Sequence, residues 1–345
     1  MFRRFICITT VLILLLLLSD SMPAQNNRID SLGVFTGIDS TYIADYTDKL
    51  TARLYLLYQD ASFVLNPENI DELLYKPNVN VRLGIAGFYK WFGLGLSINN
   101  PFYKRNDATY GKTTVVDLRV NAFGRSVAAE LYFQQYSGFY IQNIKKADGS
   151  CYVIPDMKTV SIGAAGYWIL NASRFSFRAA FVQNERQLKS AGSFMVRPSI
   201  TYYRLNSDQG IIPGEIIHDY HLRDNEKVIS GKFTSVGLAP GYSYTFVFLK
   251  NVYINLAVFP GVYWQYYSYQ TSKMEHNKGE FSFQLDSRLA VGYNSDKWFI
   301  GGAIITGFDE ITTNLSNSLF YYDVAQVRIW GGARFDLFRK KKKNY

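Results

Sequence analysis

From Lys49 to Phe338, segment after segment alternates apolar and polar residues with a period of two, the mark of strands with two unlike faces. In Thr114 to Phe123 one face carries Val116, Leu118, Val120 and Ala122, and the other Val115, Asp117, Arg119, Asn121 and Phe123. Charges at alternate positions of an apolar strand need an interior that is wet or charge-paired. Alternation and turn residues together place strands near 49–58, 79–90, 93–101, 112–123, 127–137, 157–169, 175–185, 192–205, 232–248, 252–268, 280–294, 298–310 and 321–338. The clearest faces are Val79, Val81, Leu83, Ile85 and Tyr89 in one segment, and Phe281, Phe283, Leu285, Leu289, Val291 and Tyr293 in another. Arg82, Lys90, Gln284, Asp286 and Arg288 are among the residues opposite them.

Short connections at 91–92, 124–126, 249–251 and 295–297 alternate with longer ones at 59–78, 102–111, 138–156, 206–231, 269–279 and 311–320. That asymmetry fits a barrel with short periplasmic turns and long outer loops. Counted from the front, 206–231 falls inside; counted from the back, it falls outside. A single-chain bacterial barrel with both ends in the periplasm needs an even number of strands. The miscount therefore lies between 175 and 231: one strand there is spurious, giving 12, or Ile211 to Leu222 hides another, giving 14. The expected fold class is all-β, an antiparallel up-and-down transmembrane β-barrel of 12 strands, with 14 as the alternative. A secreted β-sandwich also alternates, but strands of about ten residues exceed the usual five or six, and charges recur on the inward face.

Residues 1–24 carry Arg3 and Arg4, an apolar run from Phe5 to Leu18 and a polar stretch ending Met22-Pro23-Ala24, the three parts of a cleavable signal peptide. The run is about 14 residues, short of the roughly 20 that cross a bilayer as a helix. The expected division is a signal peptide at 1–24, a periplasmic segment at 25–48, the barrel at 49–338 and a basic tail at 339–345. The location that follows is the outer membrane of a Gram-negative bacterium. Cleavage removes Cys7 and leaves Cys151 alone, so no intramolecular disulfide can form.

Composition sharpens this picture. The chain has 27 Tyr and 25 Phe, 17% aromatic residues with Trp, suited to strands and interfacial girdles. A mean hydropathy of -0.08 argues against a bundle of membrane helices. The formal charge of +9 falls to +8 without Arg3, Arg4 and Asp20, and five of those charges sit at Arg339 and Lys340 to Lys343. The basic character is mostly a tail, and with export expected, nucleic acid is not an expected partner. The expected partners are outer-membrane lipid and the barrel assembly machinery, and no specific protein partner can be named. Gly332, Phe335, Leu337 and Phe338 resemble the terminal signal read by that machinery, although a basic tail follows them.

Several stretches carry a further likeness: Asp39 to Ile43, Asp45 to Leu50 with Arg53, Tyr75 to Asn78, Tyr89 to Gly95, and Arg178 to Gln187 followed by Lys189 to Phe194. They resemble an uncharacterised Bacteroidota family, a domain of unknown function grouped with outer-membrane barrels. The resemblance runs over about residues 35–338, its last motif being the most specific, and implies fold and location. It supplies no catalytic residue.

The chief candidate for function is the set of charges expected to face the lumen: Arg82, Asp117, Arg119, Glu130, Arg178, Asp286, Arg288 and Arg328, with Arg334 and Asp336. They could line a porin-like polar channel, with arginines setting anion preference. They could instead pair and close the lumen, which the small bore of 12 strands favours. Around Glu185, Arg186 and Lys189 alternation fails. An inward-folded constriction or a bulged hairpin would explain that, and the commonness of bulges favours the hairpin. His218 and His221, three apart among carboxylates, are parts for a cation site or for an outer-leaflet lipid-modifying enzyme, but no nucleophile motif accompanies them, and a solvated loop is the simpler account. Gly111-Lys112-Thr113 is followed by a strand pattern rather than a helix, so it is no P-loop. No catalytic residue, metal site or cofactor is expected. The expected role is non-enzymatic: envelope structure, surface contact or passage of a small polar solute.

Overall fold

The computed structural model describes residues 37–66, 72–79, 81–102, 106–219, 228–271, 275–307, 310–315, 318–323 and 325–337. The expected signal peptide, His221, Phe338 and the basic tail lie outside the described residues. The first strands are β1 (Ile43–Asp45), β2 (Leu50–Asp60), β3 (Phe63–Asn66), β4 (Leu73–Lys76), β5 (Val81–Tyr89) and β6 (Phe92–Asn99). After the short helix α1 (Asp107–Tyr110) come β7 (Thr114–Phe123), β8 (Val127–Lys145) and β9 (Cys151–Ile169). Helix α2 (Phe177–Phe181), β10 (Glu185–Gln187), β11 (Ala191–Asn206) and helix α3 (Gly214–Asp219) follow. The chain continues through β12 (Val228–Phe248), β13 (Val252–Thr271), β14 (Glu275–Asn294), β15 (Trp298–Thr306), β16 (Glu310–Leu315), β17 (Ser318–Asp323) and β18 (Ala325–Phe335).

Twelve of these strands close into an antiparallel ring, β2-β5-β6-β7-β8-β9-β11-β12-β13-β14-β15-β18, with β18 returning to β2. The start of β2 and the end of β18 share one end of the ring, the turn end, because Leu50 pairs with Phe335. Short hairpins there, of two residues at 90–91 and three at 249–251, have positive φ at Lys90 (53°), Leu249 (46°) and Lys250 (68°), the backbone that matches strand twist. The parity question resolves at 12. The expected strand at 175–185 is not a wall strand: its residues form α2 and the start of β10, and β10 pairs with β1 inside the turn end. Ile211 to Asp219 forms no strand either, but leads into α3.

The inward face mixes polar, aromatic and small residues, and the outward face is mostly apolar, aliphatic and aromatic together. On β2, Thr51, Arg53, Tyr55, Leu57 and Gln59 are buried while Leu54, Leu56 and Tyr58 are exposed. On β13 the outward positions are apolar from Ile254 to Tyr266 and turn polar at Ser268 and Gln270. Twelve residue steps at ~3.4 Å, tilted by about 40°, give a belt of roughly 30 Å.

Five wall strands run to 19–21 residues, where about 9–11 span a bilayer, and the excess lies at the loop end. There β16, β17, β3 and β4 add a wall segment that joins the ring through β8. Strand β8 pairs with β7 up to Ser137 and with β4 from Tyr140. Gly138 sits at that exchange with φ of 90°, and a Cβ there would lie 2.2 Å from the Lys112 carbonyl oxygen. Gly138→Ala should therefore lower stability by about 1–3 kcal/mol, read as a lower midpoint in urea unfolding. An unchanged midpoint would show that the exchange point tolerates a side chain.

Where β8 enters this extension its burial stops alternating. Consecutive Phe139, Tyr140 and Ile141 are all buried, which is why the strand expected at 127–137 ends too early in the sequence pattern. Inside lies an aromatic core: Phe63 stacks on Tyr75 at 4.4 Å, Tyr203 on Tyr322 at 4.4 Å and Phe233 on Phe320 at 5.1 Å. Ile211, Ile212 and Ile216 pack into it from the segment around α3.

Candidate functional site

The inward positions of the wall bring charges from distant strands together in two clusters. In the first, Arg82 on β5 meets Asp117 on β7 at 2.6 Å, and Arg119 approaches the same carboxylate at 3.2 Å. Gln134 on β8 donates to Asp117 at 2.9 Å, and Arg82 and Arg119 both donate to the side-chain Oε1 of Gln59 on β2, at 2.5 and 3.3 Å. Arg82 and Asp117 are 1% and 5% exposed. At such burial an ion pair contributes specificity more than net stability, while removing one partner strands the other.

The second cluster joins β8, β9, β11, β13 and β14. Arg288 lies 3.4 Å from both Glu130 and Asp286, and donates to the Tyr167 hydroxyl. Tyr167 donates to Glu130 at 2.9 Å. Arg197 reaches Asp286 at 3.5 Å and donates to the Tyr263 hydroxyl at 3.1 Å.

Below these clusters the segment 170–190 folds into the lumen rather than around its rim. Ser176 caps α2 by accepting from the Ala179 N–H at 3.0 Å. Phe177, Ala179, Ala180, Val182, Gln183, Asn184 and Glu185 are all at most 2% exposed. Glu185 ties the segment together: it pairs with Arg125 at 2.5 Å and Arg178 at 3.3 Å and accepts from the Ser176 hydroxyl at 2.5 Å. The wall holds it too. Arg53 donates to the Phe181 carbonyl at 2.7 Å, Tyr253 to the Ala180 carbonyl at 3.0 Å, and Arg334 to the Gln183 carbonyl. The bulged hairpin that the sequence favours is thus replaced by an inward fold. Alternation fails here because the segment is surrounded, not because a strand is bent.

At the rim, Tyr46 donates to Asp296 at 2.5 Å and Arg186 pairs with that carboxylate at 3.1 Å. The tyrosine hydroxyl and the nearby guanidinium hold Asp296 below the usual carboxylate range, while burial pushes Tyr46 up to about 12.

Of the sequence candidates, Arg82, Asp117, Arg119, Glu130, Asp286 and Arg288 belong to the two clusters, and Arg328 lies over the Tyr55 ring at 5.3 Å. Arg178 lies on α2 and not on a wall strand. Asp336 is not a lumen residue; it follows the end of β18, exposed, 3.5 Å from Lys49. Of the three constriction candidates only Glu185 is deep inside. Arg186 faces the rim, and exposed Lys189 lies over the Tyr42 ring at 5.1 Å. His218 is exposed at the end of α3, and its neighbour Glu215 pairs with Lys146 at 3.0 Å. Among the described residues no group of three His, Cys, Asp or Glu side chains could hold a metal ion. The sequence reading missed Arg53 and Arg197. Both occupy inward parity positions, Arg53 with Thr51 and Tyr55 and Arg197 with Met195 and Ser199, and that parity was the signal that could have found them.

A family model described as Domain of unknown function (DUF4421) matches residues 37–329. No curated protein matches the chain. Among solved structures, the outer membrane protease OmpT of Escherichia coli is 8% identical, with 85% of this chain and 98% of that one covered, at a TM-score of 0.35. The toluene transporter TodX of P. putida is 8% identical over 88% and 95%, at a TM-score of 0.29. The translocator domain of the autotransporter NalP of Neisseria meningitidis is 10% identical over 83% and 88%, at a TM-score of 0.32. Likeness at this level carries no argument about activity.

Proposed function

Because the chain belongs to the family described as Domain of unknown function (DUF4421), a description that states no activity, we propose its role from the barrel itself: a closed, non-enzymatic outer-membrane barrel serving envelope structure or surface contact. The observation that carries this is the filling of the lumen. The inward segment 170–190 occupies the turn end, paired charges occupy the middle and an aromatic core occupies the loop end. The apolar outer belt supports a bilayer around the wall, where an arginine would cost about 2–4 kcal/mol near the midplane. On this reading the turn end and residues 37–49 face the periplasm, the partners are outer-membrane lipid and the assembly machinery, and the extension at the loop end is the surface presented outward.

Planar bilayers test it. The refolded chain, shown folded by heat-modifiable gel mobility, is expected to give no stable conductance steps. Regular steps with anion preference would overturn the closed reading in favour of solute passage.

A further inference from the structure

Between α2 and the paired clusters the lumen keeps a cavity of about 50 Å³, room for roughly four waters at ~10–15 Å³ each. Its wall is cationic: Arg53, Arg119, Arg288 and Arg328 face it, with Glu130 as its one carboxylate. It is also lined by polar groups that have no partner within the protein. Gln326, 1% exposed, has neither its amide nitrogen nor its oxygen bonded, and the Trp330 indole N–H is unbonded at 3% exposure. The Nε atoms of Arg53 and Arg328 are unbonded as well. Gln326, Arg328 and Trp330 are successive inward residues of β18, so a single strand aims three donors into the same space.

Water could satisfy the hydrogen bonds but not the charge. In the middle of the lumen, among the described residues, six guanidiniums (Arg53, Arg82, Arg119, Arg197, Arg288 and Arg328) face three carboxylates (Asp117, Glu130 and Asp286). A buried cation without a counterion is strongly unfavourable, and the usual remedy is an anion held by hydrogen bonds. We propose that this cavity is a binding site for a small inorganic anion, held by Arg53 and Arg328 with Gln326 and Trp330 as neutral donors. The ion completes the charge balance of the closed lumen and locks β18 to β2 and α2. The proposal rests on the closed reading, but the two fail separately. Conductance steps would overturn the closed lumen, whereas the site stands or falls on where an anion is found.

The first test uses bromide. Crystals of the unaltered chain refolded in sodium bromide should show an anomalous peak in the cavity, within hydrogen-bond reach of Arg328. At constant ionic strength, exchanging gluconate, too large for the cavity, for bromide should raise the unfolding temperature in a saturable way. Arg328→Gln should weaken the half-saturating bromide concentration about tenfold, as expected for losing one charge-assisted contact. A cavity holding only water, or an unfolding temperature that follows ionic strength and not anion identity, would overturn the proposal. If Arg328→Gln does not fold, the unaltered chain still decides, since both the peak and the saturable shift are read without a substitution.

Discussion

Glu185→Ala is expected to release the inward segment from the lumen. Amides of residues 176–187, protected in the unaltered protein, should exchange with solvent faster by two orders of magnitude or more. The argument is one of stranded charge. Glu185, 1% exposed, is the common acceptor for Arg125, Arg178 and the Ser176 hydroxyl. Removing it leaves two guanidiniums near one another without a counterion, and breaking a buried pair in this way costs about 3–5 kcal/mol. The loss falls on the segment more than on the ring, whose hydrogen-bonded ladder does not involve Glu185. Local opening should therefore exceed the fall in global stability. Hydrogen exchange by mass spectrometry reads the first quantity and urea unfolding the second. Unchanged protection of 176–187 in a folded variant would show that the wall contacts of Arg53, Tyr253 and Arg334 hold the segment without its central carboxylate.

Asp117→Leu is expected to carry the largest cost to the barrel as a whole, again about 3–5 kcal/mol. It leaves both Arg82 and Arg119 buried beside an apolar side chain and removes an acceptor for Gln134. The informative companion replaces the whole triad: Arg82→Met, Asp117→Leu and Arg119→Met together. With no charge left to strand, that variant should recover at least about 2 kcal/mol of the loss, since hydrophobic replacement of a complete buried ionic group is often neutral or stabilising. Midpoints in urea, at matched m-values, make the comparison. If Asp117→Leu alone stays within about 0.5 kcal/mol of the unaltered protein, water is reaching the cluster, and the lumen is not packed there.

Legibility in the sequence followed one physical condition. Where a strand has lipid-compatible surface on one side and polar lumen on the other, alternation reports both faces: the segments at 252–268 and 280–294 lie within β13 and β14, and 112–123 covers β7 with two residues to spare. Where both sides are covered by protein the signal vanishes. That is why the expected strand at 127–137 stops short of the buried run Phe139, Tyr140 and Ile141, through which β8 continues to Lys145, while β3 and β4, at four residues each, are too short for a period of two to register. The segment at 175–185 is covered on all sides too: Phe177, Arg178, Ala179 and Ala180 are buried in succession, Ser176 caps a short helix and the backbone turns at Gln183, whose φ is 63°.

The sequence by itself determined the two-faced strands, the apolar outer surface and the inward charges, since each depends only on the identity of residues two apart along one strand. Only the tertiary structure decided the rest. Ring closure places Glu130 beside Arg288, 158 residues away, and the inward fold of 170–190 places Glu185 beside Arg125, 60 residues away. A pairing between distant strands is a property of register and curvature, not of local pattern. The filling of the lumen therefore became visible only when all 12 wall strands stood in place.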